Sequence, residues 1–307
     1  MYVIGENIHI ISPRVKEALA QRDVTLFQDL ALRQVEGGAQ ALDLNIGPQK
    51  KTGPEVMGWL VDAIRGVTDV TLSFDTTNLA AIETGLKKVE RGNAIVNSTS
   101  AEAERLERVP PLAAEYGARL IALTMGKGMI PVSAEARVEI ALEKLIPRAL
   151  EVGLPIEDLI VDPLALTVVG CQEYCPECIE AVRTLKFAWD PPPLVSVGLS
   201  NVSNRVPREM RPLIHRVFMV MLMAAGLDMA IADPLDEELR EAIRVVEERD
   251  DSTPVAALYL ILYDRVAAME ELEPSDVDLD DPEQAAIYKT VQILLNKIIY
   301  TDSYLRI

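Results

Sequence analysis

Eight short aliphatic runs, helix-period stretches between them, and a polar residue where each run ends together predict a single-domain (β/α)8 TIM barrel. The runs are Tyr2–Ile4, Ala41–Leu44, Thr71–Phe74, Ala94–Val96, Leu120–Leu123, Leu159–Val161, Val195–Leu199 and Met229–Ala232. Each is short, apolar and rich in branched side chains, as strands buried on both faces are. Between them apolar residues recur at helical spacing, as in Val15, Ala18 and Leu19, in Leu26, Leu30 and Val35, and in Val56, Leu60 and Ile64. Gly37-Gly38, Gly117 and Gly153 fall where a helix hands over to the next strand, a junction that favours a left-handed residue. A doubly wound open sheet has the same repeat, and periodicity leaves it standing as the alternative.

The ends of the runs read, in order, Glu6-Asn7, Asp43 and Asn45, Asp75, Asn97, Met125 to Lys127, Asp162, Ser200-Asn201, and Asp233. In a closed barrel these points converge on one face, so residues far apart in sequence form one concave polar site. The competing reading is that they cap the helices that follow. Carboxylates and amides without a histidine or cysteine pair suit the edge of a hydrogen-bonding heterocycle, or, less well, a hard cation. The two histidines, His9 and His215, are not spaced as ligands. No P-loop, dinucleotide fingerprint or nucleophile elbow is present.

Composition narrows the partners. Asp and Glu number 48 against 30 Lys and Arg, a formal net charge of −18, which repels nucleic-acid backbones and anionic membrane surfaces. The longest apolar runs, Met219–Leu227 and Ala256–Leu262, fall short of the roughly 18 residues a span needs. The N-terminus lacks the pattern of a secretory signal, so a cytoplasmic protein is expected.

Three cysteines, Cys171, Cys175 and Cys178, share a CxxxCxxC spacing. That spacing ligates iron–sulfur clusters elsewhere. Here it follows the sixth strand, and Pro176 reads as a helix start, so the expectation is no metal. From about residue 249 to 285 the chain carries an added helix, opened by Ser252-Thr253-Pro254, and a loop with seven acidic residues between Glu270 and Asp281. A helix capped by Asp281-Pro282 follows. The loop reads either as a solvated connection or as a contact for a partner.

Eight strings carry a resemblance: ALDLNIGP (41–48), LSFDTTN (72–78), IVNSTSAE (95–102), LTMGKGMIP (123–131), IVDPL (160–164), GLSNVSN (198–204), RPLIHR (211–216) and AIADP (230–234). Together they resemble the pterin-binding methyltransferases, and within them the branch that passes a methyl group between methyltetrahydrofolate and a corrinoid/iron-sulfur protein. The resemblance implies that Asp75, Asn97 and Asp162 grip the pterin edge. It places Asn201 near the methyl-bearing N5 as the catalytic residue. Gly198, Ser200, Asn204, Arg211 and Ile231 would complete the substrate contacts, with Glu6, Asp43, Asn45 and Lys127 bracing the pocket. Methyltetrahydrofolate is then the substrate, the cobalamin belongs to a corrinoid protein partner, and a homodimer is expected. A methyl transfer running from methylcorrinoid to tetrahydrofolate, or a non-catalytic scaffold in such a complex, are the alternatives.

Overall fold

The structure, a computed structural model, describes residues 1–306. Its strands are β1 (Tyr2–His9), β2 (Ala41–Asn45), β3 (Thr71–Asp75), β4 (Ala94–Ser100), β5 (Arg119–Leu123), β6 (Leu159–Asp162), β7 (Leu194–Gly198) and β8 (Met229–Ala232). They close in sequence order into a parallel barrel, β1 pairing with β8. Closure removes the doubly wound alternative. The helices are α1 (Pro13–Gln21), α2 (Val24–Glu36), α3 (Gly53–Arg65), α4 (Leu79–Leu86), α5 (Ala103–Tyr116), α6 (Ala134–Ile140), α7 (Ile146–Glu151), α8 (Val168–Cys171), α9 (Tyr174–Leu185), α10 (Arg211–Ala224), α11 (Glu237–Glu248), α12 (Pro254–Ala267) and α13 (Pro282–Leu294). Among the described residues no helix is long and apolar enough to cross a membrane.

Strand parity divides the core in two. Ile4, Ala41, Ile95, Ile121, Ile160 and Met229 point inward and fill the barrel, while their neighbours, such as Leu42, Phe74, Val96 and Val161, point outward against the helices. Each fully buried side chain of this size contributes about 1.5–3 kcal/mol, so both layers hold the strands at fixed height. The predicted stripes are buried on α1 (Val15, Ala18 and Leu19) and α3 (Val56, Leu60 and Ile64); on α2 Leu26 and Leu30 are buried, and Val35 is half-buried against the core. Gly117 ends α5 at φ 62°, the left-handed conformation that the sequence led us to expect there.

Two strands outrun their apolar runs. In β1 the register slips between Gly5 and Ile8, and in β4 between Asn97 and Thr99. Bulges of this kind let a strand continue while re-aiming side chains. Glu6, Asn7 and Asn97 are therefore strand residues. The helix N-caps are other residues, namely Ser12, Asp23, Asn78, Ser133, Thr167 and Asp236, each accepting from a backbone N–H of its helix. Capping does not explain the strand-end carboxylates and amides.

Beyond α11 the chain adds α12 and α13, which both pack against α10. Thr253 caps α12 and Asp281 caps α13, at the signals read from sequence. The acidic run between them is structured by its own ion pairs: Arg265 holds Glu270 at 2.7 Å and Asp276 at 3.0 Å, and Lys297 pairs with Glu271.

Candidate functional site

The carboxyl ends of the strands bring the expected residues to one mouth. Asn45, Asp75 and Asn97 stand side by side in register on β2, β3 and β4. Asn45 Nδ2 donates to Asp75 Oδ2. One layer deeper, Asp43 Oδ1 accepts from Ser73 Oγ at 2.6 Å and from Asn97 Nδ2 at 3.1 Å. Burial, reinforced by the charge of Asp75, holds the Asp43 carboxyl well above the usual range. Asp75 is raised too, by burial, against the opposing pull of its Asn45 hydrogen bond, the His9 and Arg105 charges and the Asp43 hydrogen bond. In this dry layer the two carboxyl groups act on each other, and burial favours the neutral form of both.

Across the mouth, Ser200 Oγ donates to Glu6 Oε1 and Asn7 Nδ2 donates to Asp233 Oδ1 at 3.0 Å. These bonds tie β1 to the loops after β7 and β8. Glu6 is pushed up to about 7, first by burial and then by the Asp233 charge, against the Ser200 hydrogen bond. Asp162, at the end of β6, accepts from Leu164 N at 2.7 Å and is likewise raised to about 7 by burial. The mouth therefore carries carboxyl groups that exchange protons near neutrality, a property that simple surface acids lack.

Asn201 lies three residues beyond β7 in a 3-10 turn (Leu199–Ser203), exposed at the rim. Its Nδ2 sits 2.9 Å from where a Cβ on Gly198 would stand, so the missing side chain at Gly198 is what leaves room for the amide. Asn204 Nδ2 approaches Asn201 Oδ1 at 3.4 Å. Arg211 Nε donates to Val206 O at 2.7 Å and so fastens the same loop to α10. Ile231, inward-facing on β8, packs against the inner core just below the mouth. Lys127 follows β5 in a small hairpin closed by the Gly126–Met129 bridge, and its side chain is exposed.

Several residues of the site were not singled out from sequence. Ser73 clamps Asp43, and Ser196 stands at the inward parity of β7 one layer below Gly198, its Oγ buried without a partner. Both were legible as polar residues two positions before Asp75 and Gly198, on the same face. Arg137 on α6 is fully buried and donates to the carbonyls of Pro131, Val132, Pro163 and Leu164, clamping the loops after β5 and β6 behind Asp162. His9 pairs in register with Asn45, accepts from Ile11 N at 3.0 Å, and is lowered by burial against the pull of Asp75.

The cysteines belong to the scaffold. Cys175 and Cys178 are fully buried on α9, and burial pushes the Cys175 thiol up to about 12. Among the described residues no group of three His, Cys, Asp or Glu side chains is arranged to hold a metal ion. His215 is buried against Ser203, with its Nε2 2.6 Å from Ser203 Oγ, and links α10 to the 3-10 turn that carries Asn201.

The chain is 26% identical over 249 residues to a methylcorrinoid:tetrahydrofolate methyltransferase of Eubacterium limosum, covering 79% of this chain and 89% of that one. It is 29% identical over 273 residues to methionine synthase of Mycobacterium leprae, where it spans 86% of its own length but only 22% of the larger protein. Among solved structures, Yersinia pestis DHPS with a pterine-sulfa conjugate superposes with a TM-score of 0.57 at 18% identity, over 81% of this chain and 93% of that one. Dihydropteroate synthase from Thermus thermophilus superposes with a TM-score of 0.55 at 21% identity. At these identities the structural likeness is one of fold. The pterin binding enzyme pattern matches residues 12–233, well over half of the sequence, and the chain belongs to that family.

Proposed function

We propose that the protein is a methyltransferase that moves a methyl group between N5 of a reduced folate and the cobalt of a corrinoid carried by another protein. The observation that carries this reading is the in-register row Asn45, Asp75 and Asn97, backed by Asp43 and faced by Asp162 and Asn201. A pterin edge offers an exocyclic amine and ring N–H donors beside ring-nitrogen and carbonyl acceptors. Carboxylates take the donors and amides satisfy both kinds, so Asp75, Asn97 and Asp162 match that edge in charge and in hydrogen-bond sense. The names of the E. limosum and M. leprae relatives support the methyl chemistry.

A tertiary amine is a poor leaving group, so methyl transfer from N5 requires positive charge to develop there. Asn201 would place its side-chain carbonyl or amide against N5 and follow the proton as charge builds. Glu6 and Asp162, both raised to about 7, would keep a proton in the site at neutral pH. Asn201 is exposed, which leaves it open to a corrinoid arriving as the second substrate from outside. The same groups serve either direction of transfer. Dihydropteroate synthesis fits less well: it would need basic residues for a pyrophosphate, whereas β8 ends in Ala232-Asp233-Pro234, with Asp233 already engaged by Asn7 and Leu235.

The test is spectroscopic. Mixing the protein with 5-methyltetrahydrofolate and reduced cob(I)alamin should convert the Co(I) spectrum to that of methylcobalamin, and methylcobalamin with tetrahydrofolate should give the reverse. A folded protein that changes neither spectrum overturns the reading.

A further inference from the structure

The 3-10 turn Leu199–Ser203, which carries Ser200 and Asn201, is a short element at the rim. Leu199 and Val202 are buried beneath it, and that apolar contact holds the turn down without fixing its direction. Direction comes from hydrogen bonds, and two side chains of α10 supply them. Arg211 and His215 are four residues apart and so share a face of that helix. Arg211 Nε donates to Val206 O at 2.7 Å and fastens the tail of the loop.

His215 reaches the turn itself. Its Nε2 lies 2.6 Å from Ser203 Oγ, and Ser203 Oγ donates to Ser200 O at 3.3 Å. A hydroxyl has a single proton to give. Because Ser203 gives its proton to Ser200, the 2.6 Å contact is a hydrogen bond only if Nε2 carries the ring proton and Nδ1 is bare. The ring is neutral near pH 7: burial pushes its pKa down to about 4, against the pull of Asp236 and Asp233 and with the push of Arg211.

Ser200 is where this chain of bonds meets the site. Its carbonyl takes the Ser203 hydroxyl, and its own hydroxyl donates to Glu6 Oε1. Asn201 is the next residue. A ring proton moved to Nδ1 would draw the Ser203 hydroxyl toward Nε2 and release the Ser200 carbonyl, and with it the orientation of the turn.

We infer that His215 is a positioning residue for the methyl transfer: through Ser203, its Nε2–H holds the turn in the orientation that presents the Asn201 amide to N5. The inference rests on the methyltransferase reading above. A misplacement of about 1 Å in a catalytic group costs on the order of 100-fold in rate. An interaction that forms only as charge builds in the transition state shows in kcat and leaves substrate binding alone. A residue that merely holds the fold together would show in stability instead.

Kinetics on the full chain with 5-methyltetrahydrofolate and cob(I)alamin test it. His215→Phe keeps a ring but has no Nε2, and its kcat should fall about tenfold with KM for the folate within about twofold of the parent. In His215→Gln the side-chain amide nitrogen reaches the place of Nε2 and should restore kcat to within about threefold of the parent. Ser203→Ala should be as slow as His215→Phe, and the double variant no slower than either. The chain has two histidines, so comparing the parent with His215→Gln assigns the His215 ring in a proton–nitrogen NMR spectrum, where Nε2 should bear the proton. A kcat within about twofold of the parent in folded His215→Phe or in Ser203→Ala, a His215→Gln as slow as His215→Phe, or a ring protonated at Nδ1 overturns the positioning role alone. A folded parent that transfers no methyl group overturns the methyltransferase reading and the positioning role with it.

Discussion

Asp43 accepts from Asn97 at 3.1 Å across 54 residues of sequence, and on its other side it faces Asp75. Asp43 is a buried brace: its Oδ1 takes the Ser73 and Asn97 donors, and burial beside Asp75 favours its neutral form. Asparagine has the same shape and the same donor-acceptor sense, so Asp43→Asn should keep pterin affinity within about fivefold of the parent. Asp43→Ala leaves Ser73 and Asn97 without an acceptor and should destabilise the fold by about 1–3 kcal/mol while weakening pterin binding by at least tenfold. Calorimetric titration and urea unfolding of the two variants check this. If the asparagine is as damaging as the alanine, Asp43 acts as a charge.

Arg137 holds the loops behind Asp162 through four backbone carbonyls and stacks over Tyr174 at 5.4 Å. Methionine fills similar volume but satisfies none of those carbonyls. Arg137→Met should therefore cost about 3–5 kcal/mol in denaturant unfolding, and Arg137→Lys, a point charge that lacks the planar fork, should recover only part of it. A loss below about 1 kcal/mol in Arg137→Met would mean that the loops are held by other contacts.

The contrast between Asp75 and Arg137 shows what a sequence exposes and what it hides. Asp75 is legible because it interrupts an apolar run at a strand end, and eight such interruptions in a βα repeat point to one face. Arg137 is hidden: a cation on an amphipathic helix reads as solvated, and only the fold of the two loops around it makes it a core residue. Glu6 and Asn97 were named from sequence as residues at the run ends, but the bulges beside them break the period of two, so the strands themselves seemed to stop at Ile4 and Val96. The hairpin that carries Lys127, closed by the Gly126–Met129 bridge around Gly128, was not readable from its composition. The helix starts at Pro254 and Pro282 were plain, since local capping chemistry determines them.

Glu6 makes stability depend on pH in a direction opposite to that of ordinary paired acids. Its carboxyl is raised from 4.5 to about 7, chiefly by burial. The folded state thus binds a proton that the unfolded chain has released, and its contribution is complete below about pH 4.5 and lost as pH rises to about 7. His215, lowered to about 4 by burial, works against this, losing its contribution as pH falls from 6.5. Glu6→Gln removes the first effect and leaves the second. Relative to the parent, that variant should therefore gain about 1–3 kcal/mol between pH 5 and pH 8 in chemical unfolding. A difference that is flat with pH would show that Glu6 is ionised throughout.

Gly198 and Asn201 give the sharpest test of the catalytic assignment. Asn201→Ala should lower kcat/KM for methyl transfer by about 10- to 1000-fold with folding intact, since the amide is exposed and carries no core contact. Gly198 has φ −78° and ψ 93°, which alanine adopts freely, so Gly198→Ala adds little backbone strain. Its Cβ, however, would stand 2.9 Å from Asn201 Nδ2 and displace the amide. The expected result is about a tenfold loss of kcat/KM with stability within about 1 kcal/mol of the parent. Because both substitutions act on one amide, their effects should not add: the double variant should be no slower than Asn201→Ala alone. Full additivity in that cycle would show that Gly198 acts on the substrate directly, and an unchanged rate in Asn201→Ala would remove the amide from the mechanism.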